Sequence, residues 1–123
     1  MSRQFHLDYH PGMMAMTTAD RAAYLGSHGC GPGSGPGDWL VPDRLLGLSI
    51  KPACGGHDWE YEHTASWEAR KQADKRLLDN MVAIVLNRGG WLKTPRMWLA
   101  WRYYQAVRTF GGPFYAKGKG EIK

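Results

Sequence analysis

Between residues 66 and 88, Trp67, Leu77, Leu78, Met81 and Val85 recur at the three- and four-residue spacing of a helix, and Asp74 falls on the same stripe. Glu68, Gln72, Lys75, Arg76 and Asp79 take the opposite side, where solvated charges belong. Residues 17–26 open on the capping Thr17, carry Asp20 in the first turn and close on Gly26, which predicts a short helix with Tyr24 and Leu25 inward. A third helix is expected from Thr94-Pro95 through Trp98, Trp101, Tyr104 and Val107 to Gly111, with Gly89-Gly90 dividing it from the one before. Trp98 and Trp101 are expected in the core. No long alternating strand pattern occurs, so the fold class is mainly α.

Residues 38–52 include Leu45, Leu46, Leu48 and Ile50, enough for a short apolar helix or a flap that faces a membrane. Residues 1–16 and 112–123 have little periodicity and read as mobile arms. At 123 residues the chain is one domain by length, with a modest core that a covalent staple would help.

Charge and composition narrow the partners. Sixteen Lys and Arg against eleven Asp and Glu give +5, which favours anionic surfaces. Six tryptophans tilt the expectation from nucleic acid toward a membrane interface, because indole suits the boundary between headgroups and acyl chains. No apolar run is long enough to span a bilayer, and residues 1–16 lack the apolar centre of a secretory signal. The cysteine pair nevertheless fits an oxidising destination, so a secreted or virion-carried protein is expected.

Candidate chemistry concentrates in residues 54–61, Cys-Gly-Gly-His-Asp-Trp-Glu-Tyr. On a helix Cys54, His57, Asp58 and Tyr61 share one face, while Trp59 points away. A thiol, an imidazole, a carboxylate and a phenol each need a partner when buried, so this face reads as a site. Adjacent His57 and Asp58 point into adjoining spaces and suit two roles, a base and a metal ligand. Residues 29–37, nearly all glycine and proline, form a loop whose carbonyls could wrap a hard cation such as calcium, with Asp58 as the carboxylate. Cys54 and Asp58 are one turn apart, so a bridge from Cys30 to Cys54 would hold that loop over Asp58. Asp74 needs a donor that an antiparallel helix bearing His57 would provide; otherwise it marks the wet end of its stripe.

The order Cys30-Gly31-Pro32-Gly33, then Cys54-x-x-His57-Asp58-x-x-Tyr61, then Ala73-Asp74-Lys75 resembles the secreted phospholipase A2 superfamily. The Gly-Pro-Gly loop and the compact separation of His57 from Asp74 are most similar to the phospholipase domains of parvovirus capsids. The likeness spans residues 29 to about 81. It implies two antiparallel long helices carrying a His/Asp site, a glycine-rich calcium loop, and calcium-dependent hydrolysis of the sn-2 ester of phospholipids at membrane surfaces. It further implies His57 as the base, Asp74 as its orienting partner, Tyr61 as a brace for Asp74, and the Gly31 N–H as an oxyanion donor. Calcium would be held by Asp58 and the carbonyls of Gly29, Gly31 and Gly33, and Cys30 would pair with Cys54. Tyr61 reads either as that brace or as plain core, and Tyr103 and Tyr104 are candidates for a second brace. The chain departs from the family at Ser34, where a second glycine is usual, at Glu60, where the next cysteine stands, and in the longer connection 38–52.

Two rival readings remain open. His28, Cys30, Cys54 and His57 could form a tetrahedral zinc set. The same fold without turnover could serve as a module that binds membranes or a receptor through its basic and aromatic surface.

Overall fold

A computed structural model describes residues 7–27 and 44–123. Six helices and one two-stranded hairpin make up the regular structure of those residues. They are α1 (Pro11–Met14), α2 (Thr18–Ser27), β1 (Arg44–Leu45), β2 (Leu48–Ser49), α3 (Lys51–His63), α4 (Trp67–Arg88), α5 (Lys93–Phe110) and α6 (Gly112–Ala116). The chain is therefore mainly α, as its periodicity predicts.

The long helix begins where its cap dictates. Ser66 lies just outside α4 in an extended conformation, and its hydroxyl accepts from the Ala69 N–H at 3.0 Å. Gly89, with φ of 62°, closes the other end in a conformation that only glycine adopts without strain. On α4, Asp74, Leu77, Met81 and Val85 are buried as the stripe predicts, but Trp67 stands exposed at its first turn. The three-residue connection from α3 makes these two helices antiparallel neighbours, with His57 opposite Asp74 and Tyr61 opposite Arg70. On its other side α4 packs against α5, so α4 is the central helix of a three-helix layer.

Where it is described, from residue 44 onward, the leucine-rich connection is a tight hairpin rather than a helix or a flap. Arg44 pairs with Ser49 and Leu45 with Leu48, and the two turn residues Leu46 and Gly47 both have positive φ, 47° and 86°. That handedness matches the twist of a two-residue hairpin, although leucine adopts it at a cost. Arg96 on α5 holds the turn: buried, it donates from Nε to the Leu45 carbonyl at 3.0 Å and from a terminal nitrogen to that of Leu46 at 2.8 Å. Leu45 and Ile50 go into the core with Leu77, Met81 and Val85.

Both segments expected as mobile arms are docked where they are described. Asn80, buried on α4, accepts from the Asp8 N–H and donates to its carbonyl, both at 2.7 Å, so one amide side chain pairs with the backbone as a strand would. Tyr9 then lies against Gly56, where a Cβ would come within 2.7 Å of its ring, and Met13 is fully buried. At the other end the Tyr115 hydroxyl accepts from the Ser66 N–H and donates to the Ser66 carbonyl, and the Trp67 N–H donates to the carbonyl of Lys123.

One correction concerns α5. Trp98 and Trp101 are 60% and 48% exposed; Arg96, Ala100 and Val107 form the face turned to the core instead. Among the described residues no helix is long and apolar enough to cross a membrane.

Candidate active site

Pro52 in the first turn and Thr64 at the C-terminus bound α3, whose central turns carry His57, Asp58 and Tyr61. His57 Nε2 lies 2.6 Å from Oδ1 of Asp74. The Tyr61 hydroxyl donates to that same oxygen at 2.6 Å, and Arg108 from α5 donates to Oδ2 at 2.6 Å. Arg70, one turn before Asp74 on α4, has its Nε 3.8 Å from Oδ2. Asp74 has no solvent exposure and is the point on which α3, α4 and α5 converge.

The electrostatics follow from these contacts. Burial pushes the Asp74 carboxyl upward, but the hydrogen bond and charge of His57 and the hydrogen bonds from Tyr61 and Arg108 outweigh it, and the group is held below its ordinary range. An ionised carboxylate only accepts, so in neutral His57 the proton is on Nε2 and the lone pair on Nδ1. Burial, followed by the Asp74 charge, raises Tyr61 well above an ordinary phenol and keeps it a donor. The His57 side chain is 14% exposed.

A surrounding frame keeps this geometry. Arg70 donates from Nε to the Tyr61 hydroxyl at 3.2 Å and to the carbonyls of Val107 and Arg108 at 3.0 and 2.9 Å. It thus ties the phenol to the last turn of α5, where unsatisfied carbonyls attract cations. Gly111 is required for contact rather than for conformation: its φ is an ordinary −76°, but a Cβ there would lie 2.9 Å from the Tyr61 hydroxyl. The Tyr115 ring meets Tyr61 edge-on at 4.9 Å, and Lys119 donates to the Tyr61 carbonyl and to that of Thr64.

Asp58 sits beside His57 and is half-buried. The Tyr24 hydroxyl on α2 lies 3.3 Å from its Oδ2 and 3.0 Å from Oε2 of Glu62, and burial with both carboxylates raises that phenol far above its ordinary value. As a hard oxygen donor presented next to the imidazole, Asp58 suits calcium. The other expected ligands, Gly29, Gly31 and Gly33, lie outside the described residues, as does the oxyanion role of Gly31. Among the described residues no group of three or more His, Cys, Asp or Glu side chains could hold a metal ion.

Cys54 is buried and disulfide-bonded. Cys30, the other cysteine of the chain, and His28 lie outside the described residues. A sulfur in a disulfide presents no thiolate, which removes Cys54 from the tetrahedral zinc set.

The sequence-predicted His57, Asp74 and Tyr61 therefore meet within hydrogen-bonding distance, and Tyr61 is a brace rather than plain core. Neither Tyr103 nor Tyr104 is the second brace: both pack against the core, and Arg108 takes that position. Arg70 is missing from the sequence reading, although its place four residues before Asp74 on the same helix was a signal for it. Arg108 and Tyr24 carry no such signal, since only the packing of α5 and α2 delivers them. Comparison of the chain with protein-family models, curated proteins and solved structures finds no match.

Proposed function

We propose that this protein is a calcium-dependent hydrolase of phospholipid esters, cutting at the sn-2 acyl position and releasing fatty acid and lysophospholipid at membrane surfaces. The observation that carries this reading is the buried Asp74 bound to Nε2 of His57, which leaves Nδ1 as the base. Nδ1 takes a proton from a water molecule as the oxygen attacks the ester carbonyl; the resulting imidazolium is stabilised by Asp74 at 2.6 Å. No acyl-enzyme is needed, because water itself is the nucleophile. Tyr61, Arg70 and Arg108 hold the carboxylate so that the imidazole cannot turn. Asp58 and the carbonyls of Gly29, Gly31 and Gly33 would hold calcium, which supplies a Lewis acid for the ester and a counter-charge for the phosphate. The Gly31 N–H is the proposed oxyanion donor. A disulfide-stapled hydrolase of this kind suits an oxidising setting, so we place it as secreted or carried in a virion.

The test is fatty-acid release from mixed phospholipid vesicles, with calcium and with chelator. Release should require calcium and fall at least about a hundredfold in His57→Gln, since glutamine cannot take the proton. Release that chelator leaves undiminished overturns the calcium reading, and a fully active His57→Gln overturns the base. Vesicle binding without release in either condition would leave the fold as a binding module.

A further inference from the structure

Three of the six tryptophans are on or beside α5 and point outward: Trp91 is 88% exposed, Trp98 60% and Trp101 48%. Trp98, Trp101, Arg102 and Gln105 lie on one face of the helix, opposite Ala100 and Val107 in the core. Indole is the largest apolar side chain, and leaving three in water is unfavourable unless something covers them.

Charge indicates what does. Between Asp79 and Glu121 the chain has no acidic residue and seven basic ones, leaving nine basic against eleven acidic elsewhere. Of these seven, Arg96 and Arg108 turn to the hairpin and to Asp74, so Arg102 is the cation on the outer face of α5, and that helix carries no acidic residue to offset it. A second copy of this chain is a poor occupant, because two such faces repel. Within the face the Arg102 guanidinium lies over the Trp98 ring, 5.6 Å from its centroid, so a cation and an indole are presented at one level. That arrangement matches a bilayer surface, where phosphates and the edge of the acyl region lie side by side.

We propose that the outer face of α5, formed by Trp98, Trp101 and Arg102 with Trp91 at its entry, docks on an anionic phospholipid bilayer. Indoles enter the headgroup boundary, and Arg102, held over the Trp98 ring, meets the lipid phosphates. Trp98 and Trp101 precede Arg108 by ten and seven residues on the same helix, so the docking face lies about 10–15 Å along its axis from the residue that grips Asp74. One rigid element thus joins the membrane contact to the His57 site. The purpose assigned to this contact rests on the hydrolase reading; the binding itself needs no turnover.

The experiment uses the full chain in chelator, with vesicles of phosphatidylcholine alone and of phosphatidylcholine mixed with phosphatidylglycerol, read by co-sedimentation and tryptophan emission. The expected result is partition onto the mixed vesicles with a blue-shifted emission and little onto phosphatidylcholine. Trp98→Ala with Trp101→Ala should weaken partition about tenfold or more, and Arg102→Gln about fivefold, without a change in thermal midpoint. Should the double variant fold poorly, the exposed Arg102→Gln decides alone. Equal partition onto both vesicle types, or undiminished partition of the variants, overturns the proposal. So does a double variant that loses affinity for a single-stranded oligonucleotide while keeping its affinity for vesicles. Binding through this face without fatty-acid release in calcium would sink the hydrolase reading and leave the docking intact; release without such binding would do the reverse.

Discussion

At the scale of the residue, Asp74 is a tightly constrained group. Its two oxygens accept from His57, Tyr61 and Arg108, with Arg70 close by, in a site with no solvent exposure. Replacing one member of such a set leaves the others buried without a counter-charge, which is usually costlier than the set is worth. Asp74→Asn should therefore lose about 2–3 kcal/mol in urea unfolding at neutral pH, toward the lower end because Arg108 is partly exposed. The sign with pH is definite. Because the folded carboxyl titrates below its unfolded value of 3.8, its contribution is complete above that pH and is lost as pH falls through the lower folded value. Wild type and Asp74→Asn should thus keep a constant difference in stability above pH 3.8 and converge as pH falls below it. A difference that stays constant below that pH as well would show that Asp74 acts by packing and not by charge.

At the scale of the element, the hairpin is where local preference and tertiary structure conflict. Leu46 takes a left-handed conformation that a branched side chain disfavours by roughly 1–2 kcal/mol, held there by the hydrogen bond from Arg96. Its side chain is about half exposed, so little packing is at stake. Leu46→Asn should then stabilise the protein by about 0.5–1 kcal/mol, since asparagine followed by Gly47 is the preferred pair for this turn. Thermal unfolding checks it, and an unchanged or lower midpoint would mean that Leu46 contributes more through contact than it costs in strain. α5 offers a second lesson at this scale. Its helical period is legible, but bulk points to Trp98 and Trp101 as the inward face, whereas Arg96, Ala100 and Val107 are what fit against α4 and the hairpin.

At the scale of the whole molecule, three helices are packed by apolar contacts and the Cys54 disulfide adds a covalent tie at the start of α3. Since the α4 stripe of Leu77, Met81 and Val85 persists without that bond, the helices should outlast its reduction. Under reducing conditions, far-ultraviolet circular dichroism should be nearly unchanged at room temperature. On the proposed calcium reading, affinity for the ion by titration calorimetry should fall by a larger factor than the loss of about 3 kcal/mol in global stability implies. Loss of helical signal on reduction, with calcium affinity intact in the remaining folded fraction, would assign the disulfide to the fold instead of the site.

By itself the sequence determined α2, α4 and α5 and the buried face of α4. Period and caps located α4 and α5, and the spacing of Cys54, His57, Asp58 and Tyr61 assembled one side of the site before any packing was known. Asp74 was legible for the same reason, as a carboxylate on an apolar stripe. What only the tertiary structure decided is what meets across elements. Arg108 reaches Asp74, Tyr24 reaches Asp58 and Glu62, and Asn80 pairs with the backbone of Asp8. Those partners are 34, 34, 38 and 72 residues apart. Periodicity reports on neighbours along one helix and is silent on such distances. The same limit explains the exposed tryptophans: a helix carries its apolar period in its own sequence, but which of two apolar faces is covered depends on the shape of the partner against which it packs.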